Sequence, residues 1–169
     1  MSSVVQEILA ANEQYALRFT APIAPRIDLL VVTCMDPRIH PYEQFGLKFG
    51  ECGIVRNGGG STENALPSIL IAQKFGGHHI AVVHHTDCGM LRVTKKLIHD
   101  TVEETNGPIA AKTVDELDFH EFTEGLEASV KRDVQFLANH PAVRKDTQIT
   151  GWIYDVQTGK ISQSEDVVV

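Results

Sequence analysis

The stretch that decides the fold is Ile27-Asp28-Leu29-Leu30-Val31-Val32-Thr33, which runs without a break into Cys34-Met35-Asp36-Pro37-Arg38. The apolar, β-branched run reads as a buried strand, and the polar residues after it sit where such a strand ends. A second run of the same kind, His78-His79-Ile80-Ala81-Val82-Val83-His84, leads into His85-Thr86-Asp87-Cys88. Between the two, Gly53-Ile54-Val55-Arg56 reads as a further strand, and Ser61 to Gly77 as a helix. Ser61 or Thr62 can cap that helix, Pro67 is expected within about its first turn, and Gly76-Gly77 stops it. A strand–helix–strand unit of this size favours a parallel pair with a right-handed crossover. The fold class expected is α/β: one domain, residues 1–169, built on a central, mostly parallel sheet flanked by helices.

Working outward, Ser3 to about Phe19 places Val4, Ile8, Leu9 and Ala16 at helical intervals, an amphipathic arm that Pro22 and Pro25 end. Towards the other end, Phe122 to Asn139 reads as a helix with Leu126, Val130, Val134 and Leu137 on one face. Ile149 to Asp155 reads as a strand that turns at Gln157-Thr158-Gly159-Lys160 into a short return, Ile161 to Gln163. The polar segment Thr101–His120, with Gly107-Pro108 inside it, carries no clear element signal.

Composition excludes several function classes. Of 169 residues, 43% are hydrophobic and 22% charged, with a formal net charge of −7 and no basic block, which argues against a nucleic-acid surface. No run of apolar residues is long enough to span a membrane. The first residues carry Glu7 and Glu13 and lack the basic start and apolar core of a secretory signal, so a cytoplasmic location is expected. Three cysteines cannot all pair within one chain, which suits a reducing compartment where thiols act as ligands, nucleophiles or core residues.

The chemistry concentrates at two strand ends. In extended chain, alternate side chains share a face, so Cys34, Asp36 and Arg38 can point one way and Met35 the other. His85 and Cys88, three apart after the later strand, can converge from a tight turn. Ligands of open parallel sheets gather beyond the carboxyl ends of the strands, so these motifs can meet although far apart in sequence. Cys34, His85 and Cys88 then form a Cys2His donor set that suits zinc and leaves a fourth position open, as in catalytic sites. Zinc lowers the pKa of bound water to about 7. Asp36 is placed either to accept a hydrogen bond from the resulting hydroxide or to occupy the open position itself, and Arg38 can hold it ionised and off the metal.

The other polar residues read more plainly. Cys52 has no ligand partner at motif spacing and reads as structural; were it to join the set, the site would be a closed structural one. That closed site, or a thiol sensor, is the non-catalytic alternative. His84 is expected to point away from His85. Asp87 can orient a ligand or cap its turn. Arg56-Asn57-Gly58-Gly59-Gly60-Ser61-Thr62 lacks the Gly-Lys-Ser/Thr ending of a phosphate loop. Its glycines instead let backbone approach a small cavity, where N–H groups near a helix start favour an anion.

Together these motifs resemble the β-class carbonic anhydrases, marked by Cys-x-Asp-x-Arg, then Arg-Asn with a Gly/Ala-rich turn, then His-x-x-Cys-Gly. The match runs in order over residues 28–92, and the short chain resembles the family's compact branch. The resemblance implies Zn2+ held by Cys34, His85 and Cys88, a catalytic dyad of Asp36 and Arg38, and a substrate cleft bordered by Gly58, Gly59 and Gly89. It implies reversible hydration of CO2 to bicarbonate by default, with carbonyl sulfide or carbon disulfide hydrolysis at the same site as the alternative found in that branch. It also implies a homodimer or homotetramer in which the helical arm, about residues 3–19, packs on a neighbouring subunit. Two departures stand out. Gly58 occupies a position where alanine is common, and the only tryptophan, Trp152, lies far along the chain, so a tryptophan-lined bicarbonate pocket cannot be assigned.

Overall fold

A computed structural model describes residues 3–20 and 27–168 of the chain. The arm is a helix, α1 (Ser3–Ala16); the two prolines expected to end it lie outside the described residues. The elements that follow are β1 (Leu29–Cys34), a single turn α2 (Pro41–Gln44), β2 (Cys52–Asn57), α3 (Thr62–Lys74) and β3 (His79–His85). After a 3-10 turn at Gly89–Leu91 come α4 (Lys95–Asn106), α5 (Pro108–Asp115), α6 (Leu126–Asn139), β4 (Gln148–Tyr154) and β5 (Ile161–Val168).

The five strands form one sheet in the order β2-β1-β3-β4-β5, parallel except for β5, which runs antiparallel to β4. This is the mostly parallel α/β architecture expected, with one correction to the pairing. β2 and β3, the strands joined through α3, are not neighbours, because β1 lies between them and bonds to both. β1 takes that place because its alternating residues are buried on both faces, as a central strand's must be.

On one face Leu30, Val32, Ile80, Val82 and Ile149 pack against Ala65, Ile69 and Ala72 of α3 and Val134 and Leu137 of α6. Residues one step along each strand face the other side, where Val31, Ala81, Val83 and Tyr154 form a second cluster with Ile39, Phe122, Cys34 and Cys88. Part of this second face is an open apolar hollow of about 240 Å³ lined by Leu29, Val31, Phe45, Leu47, Ala81 and Trp152, among others. α1 buries none of its residues, and Val4, Val5, Ile8 and Leu9 stand exposed along it.

Ser61 caps α3 by accepting a hydrogen bond from the Asn64 N–H, as expected. Pro67 sits deeper than expected, inside the helix. The polar segment 101–120, for which no element was expected, is mostly helical. Thr94 caps α4, Gly107 takes a left-handed φ of +87° where the helix stops, and Pro108 opens α5. These helices pack chiefly on each other, so no apolar stripe facing the main core marked them in advance.

Gly60 brings the start of α3 against the end of β1. A Cβ there would lie 2.9 Å from the Thr33 carbonyl carbon, and the residue has φ +81°. Neither the clash with backbone nor the left-handed conformation can be relieved by a side-chain movement. Gly60→Ala should therefore cost about 2–4 kcal/mol in urea unfolding; a cost under about 0.5 kcal/mol would contradict this packing.

Candidate active site

β1 and β3 end side by side, with Thr33 opposite Val83, and the Thr33 hydroxyl donates to the Val83 carbonyl at 2.8 Å. One residue beyond Thr33 is Cys34; two beyond Val83 is His85, with Cys88 one turn later. Their ligand atoms, Cys34 Sγ, Cys88 Sγ and a His85 ring nitrogen, all lie within 4.8 Å of one another, and the sulfurs are 3.9 Å apart. All three residues are buried. Cys52 is not among them, since it opens β2 opposite Leu29, at the far end of the strand from Asn57 and Cys34.

The donor set fits a soft, tetrahedral cation. His85 Nδ1 lies 2.9 Å from the Thr86 carbonyl, which only accepts, so Nδ1 carries the proton and Nε2 presents a lone pair. That Nε2 is buried without a hydrogen-bond partner, an orphan that a metal would satisfy. The two thiols behave as a pair. Contact with Cys88 lowers the Cys34 pKa against the opposing effect of burial. The Cys88 pKa is pushed up by the same contact and by burial. The pairing favours the thiolate form at one of the two sulfurs, the form that binds metal.

Asp36 stands at the mouth of this cluster, its Oδ2 3.9 Å from His85 Nε2. Its carboxylate is turned into Arg38: Arg38 Nε donates to Oδ1 at 2.9 Å, Nη2 to Oδ2 at 2.7 Å, and the Arg38 backbone N–H to Oδ1 at 2.9 Å. This fork holds the carboxyl well below the usual range, so Asp36 stays ionised. Met35, on the opposite side of the chain as alternation requires, is exposed.

Arg56 pins the loop from β2. Its Nε donates to the Cys34 carbonyl at 3.0 Å and its Nη2 to the Asp36 carbonyl at 2.7 Å. The Arg-Asn pair at the strand end was legible as a motif, but not this role. Gly59, at φ +75°, lies where a Cβ would be 2.7 Å from Phe122 Cζ and 3.1 Å from Met90 Cγ, so glycine is what lets this wall close. Gly58 and Gly89 are roomier: a Cβ on Gly58 would meet Met90 Sδ at 3.5 Å, and one on Gly89 would meet nothing within 4 Å. Asp87 contacts Arg38 and Arg92 rather than a ligand side chain.

Beneath the site lies a network that sequence reasoning missed. His84 does point away from His85. It stacks on Phe122 at 4.8 Å, sits 2.8 Å from Ser129 Oγ through Nδ1, and places Nε2 3.0 Å from Asp133 Oδ2. Asp133, fully buried on α6, also accepts from the Thr62 hydroxyl at 2.8 Å and lies 2.9 Å from His120 Nε2. His120 Nδ1 reaches Glu63 at 3.1 Å, and Arg132 Nε lies 3.0 Å from His120 Nε2. An acid amid Val130, Val134 and Leu137 was the available signal. Burial alone would raise the Asp133 pKa; its hydrogen bonds to His120 and His84 outweigh that and hold it well below the usual range.

Residues 29–161 match the family model described as carbonic anhydrase. Beta-carbonic anhydrase 1 of Mycobacterium tuberculosis is 32% identical over 95% of this chain and 98% of its own length. A carbon disulfide hydrolase of an Acidianus strain is 34% identical over 99% of this chain and 92% of its own. A solved carbonic anhydrase from Glaciozyma antarctica superposes with a TM-score of 0.89 at 37% identity, covering 97% of this chain and 99% of that one. The chain belongs to the β-carbonic anhydrase family and is an enzyme of that kind.

The network makes a pH-dependent statement. Burial lowers the His120 pKa, but the Asp133 hydrogen bond and charge, with help from Glu63, raise it on balance despite Arg132. A raised histidine contributes stability that is full below its unfolded pKa of about 6.5 and is lost as pH rises through the folded value. Wild type should therefore lose stability in urea unfolding as pH rises above about 6.5, and His120→Asn should lose less. An identical slope in both would contradict the assignment. Asp133→Asn, which removes the buried charge facing His84 and His120, should cost about 3–5 kcal/mol at pH 7.

Proposed function

We propose that this chain is a zinc enzyme that catalyses the reversible hydration of CO2 to bicarbonate and a proton. The observation that carries the reading is the buried Cys34–His85–Cys88 cluster, whose orphaned His85 Nε2 faces an ionised Asp36 held back by Arg38. Three ligands would hold zinc and leave one position free. When bound, zinc supplies Lewis acidity that brings the pKa of water to about 7. Asp36, ionised, accepts a hydrogen bond from the reacting water and so directs a lone pair at the substrate carbon. Arg38 keeps Asp36 from closing on the ligand cluster. Gly58, Gly59 and Gly89 border the space for a small linear substrate, and Phe122 and Met90 wall it on one side.

A second reading has a specific observation in its favour, the likeness to a carbon disulfide hydrolase. Carbon disulfide and carbonyl sulfide are linear like CO2, with an electrophilic central carbon. Water adds to carbonyl sulfide to give thiocarbonate, which breaks down to CO2 and hydrogen sulfide. Carbon disulfide consumes two waters and releases two hydrogen sulfides. Discrimination rests on the width and polarity of the cleft, worth about 1–3 kcal/mol per sulfur.

The exposed apolar stripe of α1 and the open hollow on the second sheet face support a homodimer or homotetramer in which α1 of one subunit covers the sheet of another. The thiols suit a reducing compartment such as the cytoplasm. No helix among the described residues is long and apolar enough to cross a membrane.

Side-by-side rates on one zinc-loaded preparation test the chemistry, reading proton release from CO2 and sulfide release from carbonyl sulfide and carbon disulfide. Cys34→Ser and His85→Ala should lose zinc and all turnover together, and Asp36→Asn should keep zinc while kcat falls at least about 100-fold. CO2 turnover above sulfide release supports the first reading, the reverse supports the second, and full activity without metal would sink both. For the assembly, Ile8→Glu with Leu9→Glu should dissociate the oligomer in analytical ultracentrifugation. A sedimentation coefficient unchanged from wild type would remove α1 from the interface.

A further inference from the structure

Asp87 occupies an unusual position that the functional reading leaves unused. It lies between the two ligands His85 and Cys88, and it is the non-glycine residue with positive φ, +53°, among those described. Aspartate tolerates that conformation better than most residues but at a cost, so its side chain should do something there. It does not turn to the cluster. Its Oδ2 accepts from Arg38 Nη1 at 3.0 Å, its carbonyl accepts from Arg38 Nη2 at 3.2 Å, and its Oδ1 accepts from Arg92 Nη2 at 2.8 Å. Arg38 meanwhile gives Nε and Nη2 to Asp36. The result is an alternating row, Asp36–Arg38–Asp87–Arg92, leading from the candidate active site to an exposed arginine.

A guanidinium is planar and rigid on a flexible stem. Held by Asp36 alone, the Asp36–Arg38 pair can swing as a unit. Held also by Asp87, its plane is fixed relative to the turn that carries His85 and Cys88. We infer that Asp87 is a positioning residue that pins Arg38, with Arg92 as its outer brace, and thereby sets where the Asp36 carboxylate stands relative to the ligand cluster. The inference rests on the reading in which Asp36 acts on the reacting water. Each of these exposed pairs alone contributes little to stability, so the effect belongs to geometry and turnover rather than to folding.

Two variants test it. Asp87→Asn keeps a residue that tolerates positive φ, and Arg92→Gln removes the brace without touching the turn. The first readout is hydrogen exchange of the Arg38 side-chain Nε–H by 15N NMR, assigned by its absence in Arg38→Lys and measured without substrate. Exchange should quicken about three- to fivefold in Asp87→Asn and less in Arg92→Gln. The second is kinetics on zinc-loaded protein: kcat should fall about tenfold in Asp87→Asn with KM and zinc content unchanged. In an Asp36→Asn background the Asp87→Asn change should cost no further turnover, because Asp87 acts through Asp36. Unchanged exchange, additive losses in the double variant, or loss of zinc from Asp87→Asn would each overturn the assignment. A wild type inactive on all three substrates would overturn the functional reading instead, and the exchange rates would still decide whether Asp87 pins Arg38.

Discussion

The pairing of β1 with β3, with Thr33 opposite Val83, is the contact on which the site depends. It aligns the carboxyl ends of two strands so that Cys34 leaves one as His85 leaves the other. A slip of one residue would turn each buried side chain to the opposite face. The Thr33 hydroxyl on the Val83 carbonyl ties the two strands at this level, and Gly60 lets α3 close against the same point from the side. Two of the three candidate ligands, Cys34 and His85, are therefore set by central strands of the sheet, and only Cys88 depends on a turn. That turn also carries Asp87, which accepts from Arg38, so the candidate ligand Cys88 and the Asp36–Arg38 pair meet at the same turn.

The strand period also explains why neighbouring histidines have unrelated tasks. His84 and His85 both lie at the end of β3, and the pleat sends them to opposite faces. His85 reaches the sulfurs. His84 meets α6, where Ser129 and Asp133 receive it and Phe122 covers its ring. Phe122 also closes against Gly59, so the wall of the candidate cleft rests on the buried network beneath it.

How much of this could be read in advance follows from how local each signal is. The strands around Leu30–Thr33 and Ile80–His84 were legible because buried parallel strands write themselves as apolar β-branched runs. The convergence of Cys34, His85 and Cys88 was legible because Cys-x-Asp-x-Arg and His-x-x-Cys follow those runs directly. What escaped was non-local. β1 inserts between β2 and β3, an order that no spacing records. α4 and α5 pack chiefly on each other, so their apolar residues do not form a stripe facing the sheet. Asp133 read as one acid in an amphipathic helix, and its partners His84, His120 and Thr62 come from three other parts of the chain.

The account turns on a two-sulfur, one-imidazole donor set completed by oxygen, and zinc K-edge X-ray absorption on the loaded wild-type protein measures that most directly. Two sulfurs, one imidazole nitrogen and one oxygen around the metal are predicted. Three sulfurs, which would bring in Cys52, or a metal surrounded only by oxygen and nitrogen, would contradict it.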